Sequence, residues 1–514
     1  MTNGQKDALF TLIKSLSKSE KRQFKLYVNR LGMNADAKFL ALFNLLEKLK
    51  QYDEKQILDS GIVKKQQLSN LKAHLYKQVL ISLRLNPVHQ NIRSQLREQL
   101  DFASILYHKG LYKQSLKMLD RAKTAALEHE EKNIAYEIVE LEKVIESQYI
   151  TRSMSNRAEE LVEQAKTLSR QNVLTSRLSN VSLQLYGLML KTGYVKNDEE
   201  LRVVKQFFSD KLPNYDSSLL GFREKLWLFK AHLWYSFLTQ DFLSSYRYAK
   251  KWVDLFDESP KMIKLNPVFY LKGHHYLLES LFFIKNQSQF KEVLEKLERL
   301  RDNQRFLVDD NIESLLFLYT YSNKLNYHFL SGTFGEGVPI VDEILSGLKK
   351  YRSRIDEHHI MVFYYKIACL YFGAGDGRTC IKYLQKIISN RSLKMREDLM
   401  CFARVLNLVA HYDAGIDYNL EMQIRITYKF LLKMDNLQKV QKEMIRFLRS
   451  FGDFYPQDLK NEFKKLHAKL KEYENHPYEK RAFLYLDIIS WLESKIQNKS
   501  VGDIIREKAL ALNK

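Results

Sequence analysis

Apolar residues recur along most of this chain at spacings of three and four, the signature of amphipathic helices. Residues 363–388 show it most clearly. Phe363, Ile367, Ala368 and Tyr371 fall on one side of a helix, and Ile381, Leu384, Ile387 and Ile388 repeat the stripe. Cys380 is the small residue expected at the close approach, and Gly373-Ala374-Gly375-Asp376-Gly377 forms the turn between them. A hairpin of this size cannot bury both stripes alone, so it needs copies of itself on either side. No convincing run of alternating strand residues occurs, and seven prolines with eighteen glycines are few for 514 residues. The expected class is all-α.

Residues 1–90 predict a compact helical bundle. Asp7 to Ser15 reads as a short helix, and Ser17-Lys18-Ser19-Glu20 as a capping box opening the next. That second helix places Phe24, Tyr27, Val28 and Leu31 on one face and Lys14, Lys18, Lys21, Arg22 and Lys25 on another. Residues 39–49 and 64–85 supply further helices, the latter with Leu68, Leu71, Leu75, Val79 and Leu83 inward, and Asn86-Pro87 ends the segment.

From residue 91 a repeat appears. Short turns centre on Gly110, Arg152, Gly193, Gln240, Asn286, Gly332, Gly375, Gly415, Gly452 and Ser500, most of them 40–47 residues apart. The spacing predicts an array of about ten helical hairpins, with loops such as 210–217 and 257–266 between them. Residues 91–456 form its body and 457–514 its capping end. The apolar helix expected at 480–495 would seat Trp491 between the last hairpins.

Two hairpins carry a family pattern. Ala103, Gly110, Tyr112, Ser115 and Ala122 occur in the order small, glycine turn, aromatic, small, small, and Ala368, Gly375 and Cys380 repeat part of it. Gly332, Phe334 and Gly337 give a third, partial match. This resembles the tetratricopeptide repeat. Most of residues 91–455 resemble it as hairpin layout, and only these hairpins as motif. Gly377 stands where the family has its turn aromatic, and the period exceeds the family's, which implies longer helices. The resemblance implies an α-α superhelix whose groove is lined by the first helix of each hairpin. Its groove positions fall on Arg97, Ser104 and His108 in one hairpin and on Tyr365 and Phe372 in another, with packing as the competing reading for the two aromatics.

Charge and composition add less. The chain carries a net charge of +21. The first 100 residues hold 18 Lys/Arg against 8 Asp/Glu, a net +10, so the excess is concentrated there. Such a patch attracts nucleic acid, an anionic surface or an acidic partner without choosing among them. No secretory leader or membrane-length apolar run is visible, and three cysteines in helical stripes make no disulfide framework. A cytoplasmic location is the expectation.

Candidate chemistry is sparse. The glycine clusters at 332–337 and 373–377 join helix to helix, whereas phosphate loops follow a strand. His274-His275 and His358-His359 point to different faces, and no metal-binding spacing occurs. Arg354 and His359 have the Arg-x4-His spacing of the HEPN-class helical ribonucleases, a resemblance that chance spacing explains in a chain with 13 histidines. The sequence therefore predicts a non-enzymatic scaffold or adaptor, without cofactor or metal, that binds a protein or peptide in its superhelical groove. The alternative is a nucleic-acid-associated regulator that uses the basic face at Lys14, Lys18, Lys21, Arg22 and Lys25.

Overall fold

The computed structural model describes residues 7–30, 36–86, 91–148, 156–303, 306, 309–390, 397–415, 420–432, 439–450, 459–479 and 487–512. The described residues are helical, turn or coil, with no strand among them. The turns expected at Arg152 and Gly452, and residues 480–486 of the apolar C-terminal helix, lie outside them. The chain divides into two compact units, Met1–Leu168 and Ser169–Lys514.

The first unit holds two separate cores. Helices α1 (Ala8–Ser15), α2 (Lys18–Arg30), α3 (Asp36–Lys48), α4 (Glu54–Asp59) and α5 (Lys65–Arg84) enclose Ile13, Phe24, Phe43, Leu46, Ile57, Leu75 and Val79. The capping box forms as the sequence implies. Ser17 N donates to Glu20 Oε2 at 2.6 Å, and Glu20 N donates to Ser17 Oγ at 3.2 Å. Asp7 caps α1 and pairs with Lys72 of α5, which also donates to Tyr52. Burial works against the Lys72 charge, yet the hydrogen bonds to Asp7 and Tyr52 outweigh it and raise its pKa. The small helix α4 was not expected from the sequence.

The second core belongs to α6 (Ile92–His108), α7 (Tyr112–Glu128), α8 (Lys132–Gln148) and the start of α9 (Arg157–Thr192). Here the motif residues meet. Ser115 Oγ donates to Ala103 O at 2.7 Å, Ala103 and Ala122 are fully buried, and Gly110 takes φ +73° at the turn. A Cβ at that φ would be strained, which explains the glycine. Glu142 lies at the centre of an ion network, with Lys123 Nζ at 2.5 Å and Arg157 Nη2 at 3.2 Å. Burial pushes the Glu142 carboxyl up, against the pull of Lys123 and Arg157.

The forty-residue spacing implies a break between the turns near 152 and 193, but α9 runs unbroken for 36 residues. No proline occurs in it, and Gly187 is its one glycine, so nothing in its backbone forces a turn.

In the second unit α10 (Asp198–Lys211) is followed by helix pairs. These are α11 (Phe222–Leu238) with α12 (Phe242–Asp257), then, past the short α13 (Pro260–Leu265), α14 (Pro267–Phe283) with α15 (Gln287–Asp302). The region 257–266 is therefore partly helical. Next come α16 (Asp310–Ser331) with α17 (Phe334–Gly337) and α18 (Ile340–Lys350), and α19 (Glu357–Gly373) with α20 (Gly377–Ile388). The unit closes with α21 (Glu397–Asp413), α22 (Leu420–Leu432), α23 (Lys439–Ser450), α24 (Leu459–Lys471), α25 (Ile488–Gln497) and α26 (Val501–Leu512). First helices pack on one another, α14 on α16 and α16 on α19, while each also packs on its own second helix. Turns expected at Gly193, Gln240, Asn286, Gly332, Gly375, Gly415 and Ser500 all fall at helix ends.

Close approaches explain several glycines. A Cβ on Gly347 would stand 2.0 Å from Phe317 Cε2, and one on Gly373 would stand 2.2 Å from Phe334 Cδ1. The C-terminal segment does more than close the far end. Tyr478 donates to Asp198 Oδ1 at 2.6 Å, and Gln240 Nε2 donates to Tyr478 O at 3.4 Å. Lys495 pairs with Asp413, and α26 packs on the end of α16, where Arg506 Nη1 donates to Gly332 O at 3.5 Å. A Cβ on Gly332 would meet Gly502 O at 2.5 Å. Residues 473–479 and 487–512 thus return along the turn ends of earlier hairpins.

Candidate functional site

The basic face of α2 is largely satisfied within the bundle. Lys14 Nζ donates to the Glu47 carbonyl at 2.6 Å, while Lys25 and Lys21 stand 2.9 and 3.7 Å from the Glu47 carboxylate. The Lys25 hydrogen bond is the main reason the Glu47 pKa is lowered. Lys18 and Arg22 remain as exposed cations, with no ion pair among the described residues. Glu47 on α3 therefore engages three of the five basic residues, Lys21 and Lys25 through its carboxylate and Lys14 through its backbone carbonyl, an arrangement between helices that sequence spacing does not display.

The groove positions divide. Arg97 and His108 are exposed on α6 and Ser104 is half-buried, all in the first unit. Tyr365 and Phe372, in the second unit, are interior side chains at 4% and 3% exposure. Their burial fits the packing reading given for these two aromatics. Helix α21 packs on α19, and Phe402 from it stands 6.5 Å from the Tyr365 ring.

The glycine clusters are filled by protein. Gly332 abuts Gly502 and Gly373 abuts Phe334, while residues 334–337 form the helical turn α17. Arg354 Nη2 pairs with Asp310 at 2.5 Å, and His359 Nδ1 lies 2.6 Å from the carboxylate of Asp356, the N-cap of α19. Both side chains of the Arg-x4-His spacing are thus held by carboxylates. Among the described residues no cluster of His, Cys, Asp or Glu could hold a metal, and no helix is long and apolar enough to cross a membrane.

The arrangement that sequence reasoning missed is a row of lysines on the first helices of the second unit. Lys230 on α11 and Lys272 on α14 are half-buried, and Lys366 on α19 is buried at 3% exposure. Lys230 Nζ lies 4.5 Å from the centroid of Trp227 and 5.6 Å from that of Phe269, whose rings meet edge-on at 5.5 Å. Burial, and then the neighbouring Lys272 charge, pull the Lys230 pKa down to about 8. Burial alone lowers that of Lys272. Among the described residues no carboxylate forms an ion pair with either. Lys366 Nζ donates to Ser322 Oγ at 2.7 Å and to its carbonyl at 3.3 Å. Burial takes its pKa to about 8, against the favourable field of Glu279.

Between these lysines lies a polar and aromatic layer. His275 stacks on Tyr319 with centroids 4.4 Å apart, and its Nε2 stands 3.7 Å from Glu279 Oε1. Burial lowers the His275 pKa to about 4, so the ring is neutral at physiological pH. Asn323 Nδ2 reaches His275 Nδ1 at 3.3 Å, Trp234 packs 5.4 Å from Tyr276, and Tyr186 lies 4.9 Å from Trp234. The Trp234 indole N–H and the Asn326 Oδ1 are buried with no hydrogen-bond partner among the described residues.

A sequence signal for this row existed. Lys230, Lys272 and Lys366 each interrupt the apolar run of a helix that is hydrophobic on nearly every side, as in Trp227-Leu228-Phe229-Lys230 and Tyr364-Tyr365-Lys366-Ile367. Such a helix is buried on most faces, so a lysine in it carries its charge into the interior. What these features could do chemically is hold an anion, since buried charges are normally paired.

No known protein family, curated protein or solved structure matches the chain.

Proposed function

We propose that this chain is a non-enzymatic helical-repeat protein of tetratricopeptide-like build. It binds a protein or peptide on the face of α11 and α14 that carries Trp227, Lys230, Phe269 and Lys272. The carrying observation is the pair of half-buried lysines Lys230 and Lys272, neither in an ion pair with a carboxylate among the described residues, with Lys230 over the rings of Trp227 and Phe269. A folded chain bears such a cost where a surface is kept for a partner. Tryptophan and aromatic neighbours of this kind are enriched at binding hot spots. The tetratricopeptide-like reading draws support from the Ser115–Ala103 contact and the left-handed glycines at 110 and 375.

The test is affinity isolation with the full chain from nuclease-treated lysate, compared with a Trp227→Ala, Phe269→Ala variant. A stoichiometric protein retained by the native chain and lost by the variant is the expected result. Proteins held equally by both would refute the site. The nucleic-acid reading predicts instead that binding vanishes on nuclease treatment and on Lys18→Glu, Arg22→Glu substitution. It is the weaker reading, because Glu47 already engages Lys14, Lys21 and Lys25.

A further inference from the structure

We infer that the partner segment recognised at this face is acidic: a peptide whose side-chain carboxylates sit on Lys230 and Lys272 while its apolar residues pack on Trp227 and Phe269. The inference rests on the binding face proposed above and specifies its ligand.

Three observations carry it. The first is charge without compensation. Lys230 and Lys272 sit on consecutive first helices, near enough for the Lys272 charge to disfavour that of Lys230, and no carboxylate among the described residues forms an ion pair with either. An ammonium removed from water is stabilised strongly by a carboxylate placed beside it. The second is position. Lys230 lies over two aromatic rings that are themselves part-exposed, so an approaching segment meets cation and apolar surface together. The third separates a peptide from a nucleic acid. A phosphate backbone binds along exposed cationic tracks, but these lysines are recessed. The adjoining layer also contains the carboxylate of Glu279, which opposes a continuous run of phosphates, whereas a peptide can alternate acidic and neutral side chains.

Exposed surfaces elsewhere lack this complementarity. Phe102 and Ile105 on α6 form an apolar stripe, but nothing around it specifies an occupant.

The experiment uses the full chain and four probes: a short fluorescent peptide of alternating Glu and Phe, the same peptide with Gln for Glu, a single-stranded oligonucleotide, and inorganic phosphate. Binding is followed by anisotropy at several salt concentrations, for the native chain, for Lys230→Met, Lys272→Met, and for Trp227→Ala, Phe269→Ala. Methionine keeps the side-chain length and removes a buried charge, so the lysine variant retains its fold, which circular dichroism checks. The Glu-Phe peptide should bind the native chain at least about tenfold more tightly than the Gln-Phe peptide. The lysine variant should abolish that preference, and neither oligonucleotide nor phosphate should compete. If both peptides bind alike and only the aromatic variant weakens them, the acidic specificity falls while the binding face stands. If the oligonucleotide or phosphate competes fully, the site is a phosphate site and the inference is overturned. If neither peptide binds, the inference and the binding face fall together.

Discussion

Removing the charge of Lys230 should make the second unit more stable, and the gain should disappear at high pH. The amine has a pKa near 10.5 when free and about 8 in the fold. At about 1.4 kcal/mol per pH unit, that fall corresponds to a penalty of roughly 3.5 kcal/mol on the charged form. The methionine in Lys230→Met also loses the attraction of the Trp227 and Phe269 rings for the cation, worth about 0.5–1 kcal/mol. A net stabilisation of roughly 2.5–3 kcal/mol at pH 7 follows. The sign with pH is fixed by linkage. The unfolded chain holds this proton up to about pH 10.5, and the folded chain only to about pH 8. The penalty is therefore constant below pH 8 and fades as pH climbs from 8 towards 10.5. All four tryptophans, at 227, 234, 252 and 491, lie in the second unit. Their fluorescence during urea or thermal unfolding therefore reports that unit alone. Lys230→Met should raise its midpoint by a few degrees at pH 7 and differ little from the native chain near pH 10. A variant less stable than the native chain at pH 7, or a gap that stays constant across pH, would refute the reasoning.

Other perturbations test the packing. Gly347→Ala gains about 1 kcal/mol of helix propensity, but its methyl enters the Phe317 ring. Overpacking of about 1–3 kcal/mol should win, and Phe317→Leu should relieve it in a double-mutant cycle read by tryptophan fluorescence. Lys123→Met leaves the fully buried Glu142 with Arg157 as its nearest cation. It should cost about 3–5 kcal/mol, seen as faster hydrogen exchange in α7 and α8. Gly332→Ala places a Cβ against Gly502 O at a left-handed φ of +66°. It should loosen α26 and speed proteolytic release of the C-terminal residues, whereas an unchanged digestion rate would show the contact is dispensable.

The fold was legible where local chemistry decides it. The Ser17–Glu20 box, the Gly110 and Gly375 turns and the stripe through Phe363 and Ile367 depend on residues within a turn or two of each other, so periodicity reveals them. The unbroken α9 was misread because the regular spacing suggested a break that its backbone does not require. The site was less legible. Tyr365 and Phe372 match the family's positions in register, yet both are interior, Tyr365 with Phe402 of α21 beside it, a tertiary fact. Lys21 and Lys25 belong to a basic face in sequence and are paired in space, since the Glu47 carboxylate arrives from another helix. Lys230, Lys272 and Lys366 left a trace, each a cation inside an apolar run, but their convergence required the helices to be stacked.

The return of α26 to α16 bears on how the protein is made. Arg506 and Gly332 are 174 residues apart in the chain. At ~5–20 residues per second of synthesis, the Gly332 turn leaves the ribosome roughly 10–35 s before its last contact exists. Tyr478 and Asp198 are farther apart still, 280 residues. Until then the turn edges at 198, 240 and 332 stand uncovered on the nascent chain. That interval is long against hairpin formation, so the central hairpins form first and wait for closure, exposed meanwhile to chaperones and to neighbouring chains on the same message.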